Sequence, residues 1–247
     1  MRNVVPSGGA VAIPDVVRSA SLTQTLEQRL ERLISEGMLA PGQRVNENQL
    51  ACLFGTSRGP LREATRSLEA KGFLRSVRHR GVFVRQLSLQ EVLEVYDMRA
   101  ALFGLAARLA CTRRSAALLH RLSGLIDEMD VAAAASDVER FYPLNLAFHE
   151  MLTEAGGNHL VIAEMQRLVT KIHLFDRRGM VNPQTLAQSN EEHRAIVDAL
   201  GSGSLQRAHD ASFAHVAAGR SRLLSRLAAE EEAAEDAVTS SGGAGLS

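Results

Sequence analysis

Thiol chemistry has almost nothing to work with in this chain. Its two cysteines, Cys52 and Cys111, lie in separate regions without C-x-x-C spacing. That excludes a disulfide framework and a thiolate zinc site, and it points to a reducing cytoplasm. Tryptophan is absent and aromatic residues make up only 4% of the sequence, while Ala, Leu and Arg dominate, which is the composition of a helical protein. Long apolar runs are also missing. The longest, Ala100 to Cys111, is interrupted by Arg108 and falls far short of the roughly 20 residues a membrane span needs. The opening Met1-Arg2-Asn3-Val4-Val5-Pro6 has no apolar core of the kind a signal peptide requires.

Net charge is absent overall, with 28 basic and 28 acidic residues, but the balance hides a segregation. Leu22 to Leu87 carries 11 Lys and Arg against 6 Asp and Glu, whereas Ser88 to Ala228 is close to neutral with 15 against 16. After Ala229 come five acids, Glu230, Glu231, Glu232, Glu235 and Asp236, and no base. A basic amino-terminal module on a neutral body is the charge footprint of a nucleic-acid binder with a separate regulatory domain.

The patterning divides the chain accordingly. Residues 1–20 mix Pro, Gly and Ser without periodicity and read as a flexible arm; 21–87 form a first domain, 88–228 a second, and 229–247 a disordered acidic tail. In the first domain a helix carries Leu22, Leu26, Leu30, Leu33 and Ile34 on one stripe and stops at Gly37. Asn46 opens a short helix, Phe54-Gly55-Thr56-Ser57 makes a tight turn, and a helix from Ser57 to Lys71 ends at Gly72. Two strands follow, Phe73 to Ser76 and Gly81 to Arg85, joined by the basic tip Val77-Arg78-His79-Arg80. From Ser88 onward six segments have 3.6-residue apolar spacing, separated by short Gly, Pro, Asn or Ser signals, which predicts an antiparallel six-helix bundle.

The chemistry of the first domain concentrates at Ser57-Arg58-Gly59-Pro60-Leu61-Arg62. Ser57 is placed to cap the helix, whose first turn presents N–H groups to phosphate. Arg58 and Arg62, one turn apart, share a face and are able to grip guanine edges or phosphates. Arg66 follows a turn later as a phosphate contact. Gly81 permits close backbone approach, with Arg78 and Arg80 supplying charge beside it.

These residues carry a resemblance. The run Gly37 to Val45, then Leu50-Ala51, Ser57 to Ala64, Leu68 to Gly72 and Arg80 to Val84 resembles the winged helix-turn-helix of GntR-family transcription regulators. Met98 to Leu102, Phe148-His149, Glu192 to Ile196 and His215 are similar to pieces of the FCD ligand-binding domain of the FadR subfamily. Six helices rather than seven resemble its VanR-like branch. The implied fold is mainly α, with an amino-terminal winged helix-turn-helix and a carboxy-terminal FCD-like bundle. The resemblance implies that Arg58 and Arg62 read operator DNA and that the hairpin around Gly81 enters the adjacent minor groove. It places His149, His193 and His215 at metal-ligand positions, with zinc or nickel as the metal. The family's fourth ligand, an aspartate, is replaced here by Asn145, a neutral and poorer donor. Arg99 is similar to the arginine that faces the effector, a small organic acid.

The function so implied is a homodimeric DNA-binding regulator, most often a repressor, without membrane attachment or catalytic activity. Two alternatives stand beside it. A metal-dependent hydrolase would use the His149, His193 and His215 cluster to activate water, and a nucleoid-type DNA binder would show little sequence preference.

Overall fold

The computed structural model describes residues 15–172, 174–175 and 185–242, and the chain divides into two compact units at Gln86 and Leu87. The first contains α1 (Asp15–Ser35), β1 (Arg44–Val45), α2 (Glu47–Leu53), α3 (Arg58–Ala70), β2 (Leu74–Val77) and β3 (Gly81–Val84). Leu26, Leu30 and Ile34 of α1 and Leu61, Ala64 and Leu68 of α3 are almost wholly buried, as the apolar spacing of both helices requires, and α1 packs on α3. Leu22, on the same predicted stripe, is exposed instead. Helix α3 closes with Gly72 at a φ of 80°, where the Phe73 N–H reaches back to the Leu68 carbonyl at 2.9 Å. That turn launches β2. The sheet is antiparallel in the order β1-β3-β2, with Arg44 opposite Phe83 and Leu74 opposite Val84. The two-residue β1 was not predicted, because a pair of residues cannot display alternation.

The second unit contains α4 (Leu89–Thr112), α5 (Ala116–Ala134), α6 (Val138–Ala155), α7 (His159–Ile172), α8 (Leu186–Ser202) and α9 (Leu205–Gly242). Ser88 and Glu91 form a reciprocal capping box at the start of α4. Helix α4 is the spine: it packs against α6, α7, α8 and α9 and buries Val92, Phe103, Ala106, Ala107 and Ala110. Gly203, with a φ of 75°, turns the chain from α8 into α9, and a Cβ there would lie 2.6 Å from Arg114.

Two expectations about the ends change. Helix α1 begins at Asp15, inside the expected arm, and residues 1–14 lie outside the described residues. Helix α9 continues through the expected disordered tail to Gly242. Ala and Glu are strong helix formers, and Arg226 pairs with Glu230 one turn on at 2.6 Å, so acidity alone did not prevent helix formation.

Candidate functional site

Arg58, Arg62 and Arg66 recur every four residues along α3, opposite the buried Leu61, Ala64 and Leu68, and all three are exposed. Among the described residues none of their guanidiniums is held in a hydrogen bond or ion pair. The neighbouring acids are engaged elsewhere. Glu47 accepts from the Thr65 hydroxyl at 2.9 Å, and Glu69 accepts from the Ser76 N–H at 2.7 Å and hydroxyl at 2.8 Å. The three guanidiniums are therefore left to solvent. Ser57 stands at the N-cap with extended backbone, yet its side chain makes no capping bond. A capping oxygen takes the N–H of the second or third helical residue, and the third here is Pro60, which has none.

In the hairpin, Arg78, His79, Arg80 and Gly81 are exposed. Arg78 Nε donates to His79 Nε2 at 3.1 Å. Gly81 has a φ of 104°, and a Cβ on it would meet Arg44 Nε at 3.1 Å, so the turn needs glycine on both counts.

The second unit has a buried site. His149 on α6, His193 on α8 and His215 on α9 offer ligand atoms that all lie within 4.8 Å of one another. His215 Nε2 is 3.2 Å from His193 Nε2 and 3.1 Å from His149 Nε2. The surroundings decide which nitrogens carry hydrogen. Asn190 donates its amide to the Ile126 carbonyl at 2.9 Å and to Asp130 at 2.6 Å, which turns its oxygen toward His193 Nδ1 at 3.3 Å. His215 Nδ1 donates to Glu192 at 2.7 Å. Both Nδ1 atoms thus hold the hydrogen, and the two Nε2 lone pairs face each other. His149 Nδ1 is buried with no hydrogen-bond partner.

Facing lone pairs repel unless a cation lies among them. Burial pulls His149 and His193 well below the usual imidazole range, and the neighbouring His215 adds to this. Burial lowers His215 as well, against the opposing pull of Glu192. Protonation is disfavoured, so the cluster suits a divalent metal, whose bonds to imidazole of about 2.0–2.1 Å fit nitrogens this close. Phe103 stacks on His149 with ring centroids 4.5 Å apart and closes the far side.

The cluster borders a cavity of about 120 Å³ lined by Tyr96, Arg99, Asn145, His149, His215 and Arg222, among others. Asn145 sits one turn before His149 on α6, as the sequence reading required, and Arg99 faces the same space. His193 lies behind His215 rather than on the wall. Arg99 Nε is buried without a hydrogen-bond partner among the described residues, and burial lowers the pKa of its guanidinium. Its helix neighbour Asp97 pairs with Arg220 at 3.1 Å instead. His120 and His159 are exposed, His209 pairs with Asp210 at 2.9 Å, and His173 lies outside the described residues.

Sequence reasoning missed Tyr96, Asn190, Glu192, Arg222 and Arg226. Arg222 and Arg226 fall seven and eleven residues after His215, a helical spacing that returns to one face and was there to be read. A carboxylate, that of Glu192, stands beside the histidines. Burial pushes the Glu192 carboxyl up, and hydrogen bonds from His215 and Arg222 outweigh that and hold it below the usual range. Arg222 grips it at 2.6 and 3.0 Å, so this carboxylate orients His215 and has no oxygen left to serve as a base in the cavity.

Residues 94–218 match the family model described as FCD domain, and residues 22–84 match the model described as bacterial regulatory proteins, gntR family. A protein of Paenarthrobacter nicotinovorans named as a probable D-xylose utilization operon transcriptional repressor is 34% identical over 186 residues, covering 75% of this chain and 81% of that one. The galactonate operon transcriptional repressor of Escherichia coli strain K12 is 28% identical over 220 residues, covering 78% and 93%. Among solved structures, E. coli McbR/YncC has the same fold, with a TM-score of 0.72 at 21% identity over 83% of this chain and 98% of that one.

Proposed function

The chain belongs to the GntR family of bacterial transcription regulators and carries the FCD domain of its FadR subfamily, and from that membership we propose that it is a homodimeric, acid-responsive repressor. Two copies present two α3 helices to the half-sites of a palindromic operator, because one helix makes too few base contacts for a useful specificity ratio. Arg58 and Arg62 read bases or phosphates, Arg66 grips phosphate, and Arg78, Arg80 and Gly81 enter the adjacent minor groove. A small organic acid enters the cavity of the helical unit and binds one dimer arrangement more tightly than the other, which shifts the operator affinity. One relative is named as a repressor of the galactonate operon, and galactonate is an organic acid, in keeping with such an effector. The six helices described after Leu87 favour the VanR-like branch. No helix among the described residues is long and apolar enough to cross a membrane, and the protein acts on DNA in the cytoplasm.

The observation that carries this reading is Arg99 Nε, buried without a partner on the wall shared with His149 and His215. A buried guanidinium left unsatisfied is costly, and an anionic ligand satisfies it. His149, His193 and His215, with Asn145 beside them, would hold a metal, which would supply Lewis-acid chemistry toward the effector carboxylate. The hydrolase alternative is set aside, because the family is one of transcription regulators and not of enzymes.

The test is DNA binding at fixed salt, using a site selected from a random pool. A preference over random duplex of about 10³ or more is expected, as for specific regulators, together with loss of binding when an organic acid is added. His193→Ala should lower metal content or the acid response and leave acid-free DNA binding intact. Equal affinity for selected and random DNA would instead indicate a nucleoid-type binder.

A further inference from the structure

The cavity wall carries more positive charge than one carboxylate balances. Arg99, Arg222 and Arg226 all border it, the last two a turn apart on α9. Their convergence shows at Tyr96: burial pushes its phenol up, while Arg99, Arg222 and Arg226 together pull it down. Gly219, one turn before Arg222 on α9, faces the Tyr96 ring, and a Cβ there would be in ordinary contact with Cε1 at 3.5 Å.

The three guanidiniums differ in what already satisfies them. Arg222 is neutralised by both oxygens of Glu192. Arg99 has its Nε unpartnered. Arg226 reaches Glu230 with Nη1 at 2.6 Å, but its Nε and Nη2 are both buried without a partner. Those two nitrogens lie on one edge of the guanidinium, the edge that binds an oxyanion bidentately. Two arginines with unpartnered nitrogens therefore border the cavity, Arg99 from α4 and Arg226 from α9.

Resting on the reading of the cavity as an acid site, we infer that the effector is a dianion with two separated anionic groups, one taken by Arg99 beside the histidine cluster and the second by the Nε and Nη2 edge of Arg226. A dicarboxylic acid and a phosphorylated hydroxy acid share this chemistry. Glu230 acts as an internal competitor, holding the third nitrogen of Arg226 from the exposed side.

Calorimetric titration of the full-length chain tests this. The probes are diacids of three to six carbons, the monoamide of each, and phosphoglycolate as the phosphorylated arm. The best dianion should bind at least about tenfold more tightly than its own monoamide, the difference one buried charged pair makes. In Arg226→Gln that ratio should fall below about threefold if the second anion has lost its partner. Glu230→Gln, which alters no cavity-lining residue, should tighten dianion binding and decides the matter if Arg226→Gln does not fold. Whether a diacid or phosphoglycolate binds best identifies the second group. A monoamide as tight as its diacid, or a ratio untouched in Arg226→Gln, overturns the dianion and leaves the acid site standing. Absence of binding by every diacid, monoamide and phosphoglycolate overturns both.

Discussion

The two units treat their arginines in opposite ways. In the first, Arg58, Arg62 and Arg66 stand in water, while Glu47 and Glu69 bond to Thr65 and Ser76. In the second, Arg99 and Arg226 keep nitrogens out of water with nothing to bond, beside histidines that burial holds neutral. A solvated guanidinium costs the fold almost nothing and is available to any large polyanion that arrives. A buried one costs stability until a small partner is enclosed with it. The contrast matches the two proposed roles, an open surface for duplex and an enclosed site for a small acid.

The comparison breaks most visibly if a change inside the second unit behaves like a change on the surface of the first. Phe103 is fully buried and stacked on His149. Phe103→Ala should cost about 3–5 kcal/mol of stability, the range for a buried phenylalanine, measured by denaturant unfolding of chelator-treated protein. A loss under about 1 kcal/mol would mean that the histidine cluster is not seated in a packed core.

Arg58→Ala or Arg62→Ala should do the reverse. Each should weaken binding to a selected operator by about 1–3 kcal/mol and change unfolding stability by no more than about 0.5 kcal/mol, as for exposed positions free of internal partners. Full operator affinity in either variant would remove that side chain from the interface. A large fall in stability would show that it is a structural residue after all.

The same contrast explains what the sequence made legible. The row Arg58, Arg62, Arg66 was readable because it lies on one helix, where spacing alone fixes a face. His149, His193 and His215 come from three helices, and their common meeting point followed from family likeness rather than from periodicity. What escaped was the layer around them. Asn190 and Glu192 matter through hydrogen bonds to His193 and His215, and nothing in a single chain's pattern marks which polar residue beside a histidine will turn toward it. Arg222 and Arg226 were legible by spacing from His215 but invisible by type, since arginines late in a helix are ordinarily solvated. The tail was misread because composition was weighed for charge and not for helix propensity.

The smallest expected effect sharpens the comparison at one position, Asn145. It lines the cavity one turn before His149, where an inward carboxylate would add a charged donor to three neutral imidazoles. An amide oxygen is a weak donor, so Asn145→Asp should tighten zinc or nickel binding by about tenfold or somewhat more, which is about 1.4 kcal/mol. The same substitution adds a negative charge to the wall that Arg99 and Arg226 border, so on the proposed reading it should weaken the organic effector while it strengthens the metal. Competitive chelator titration reads the first effect and calorimetry the second. Opposite signs would place Asn145 between metal and effector. Identical metal affinity in the variant would show that this face of α6 serves the acid alone, and that three histidines close the metal site without it.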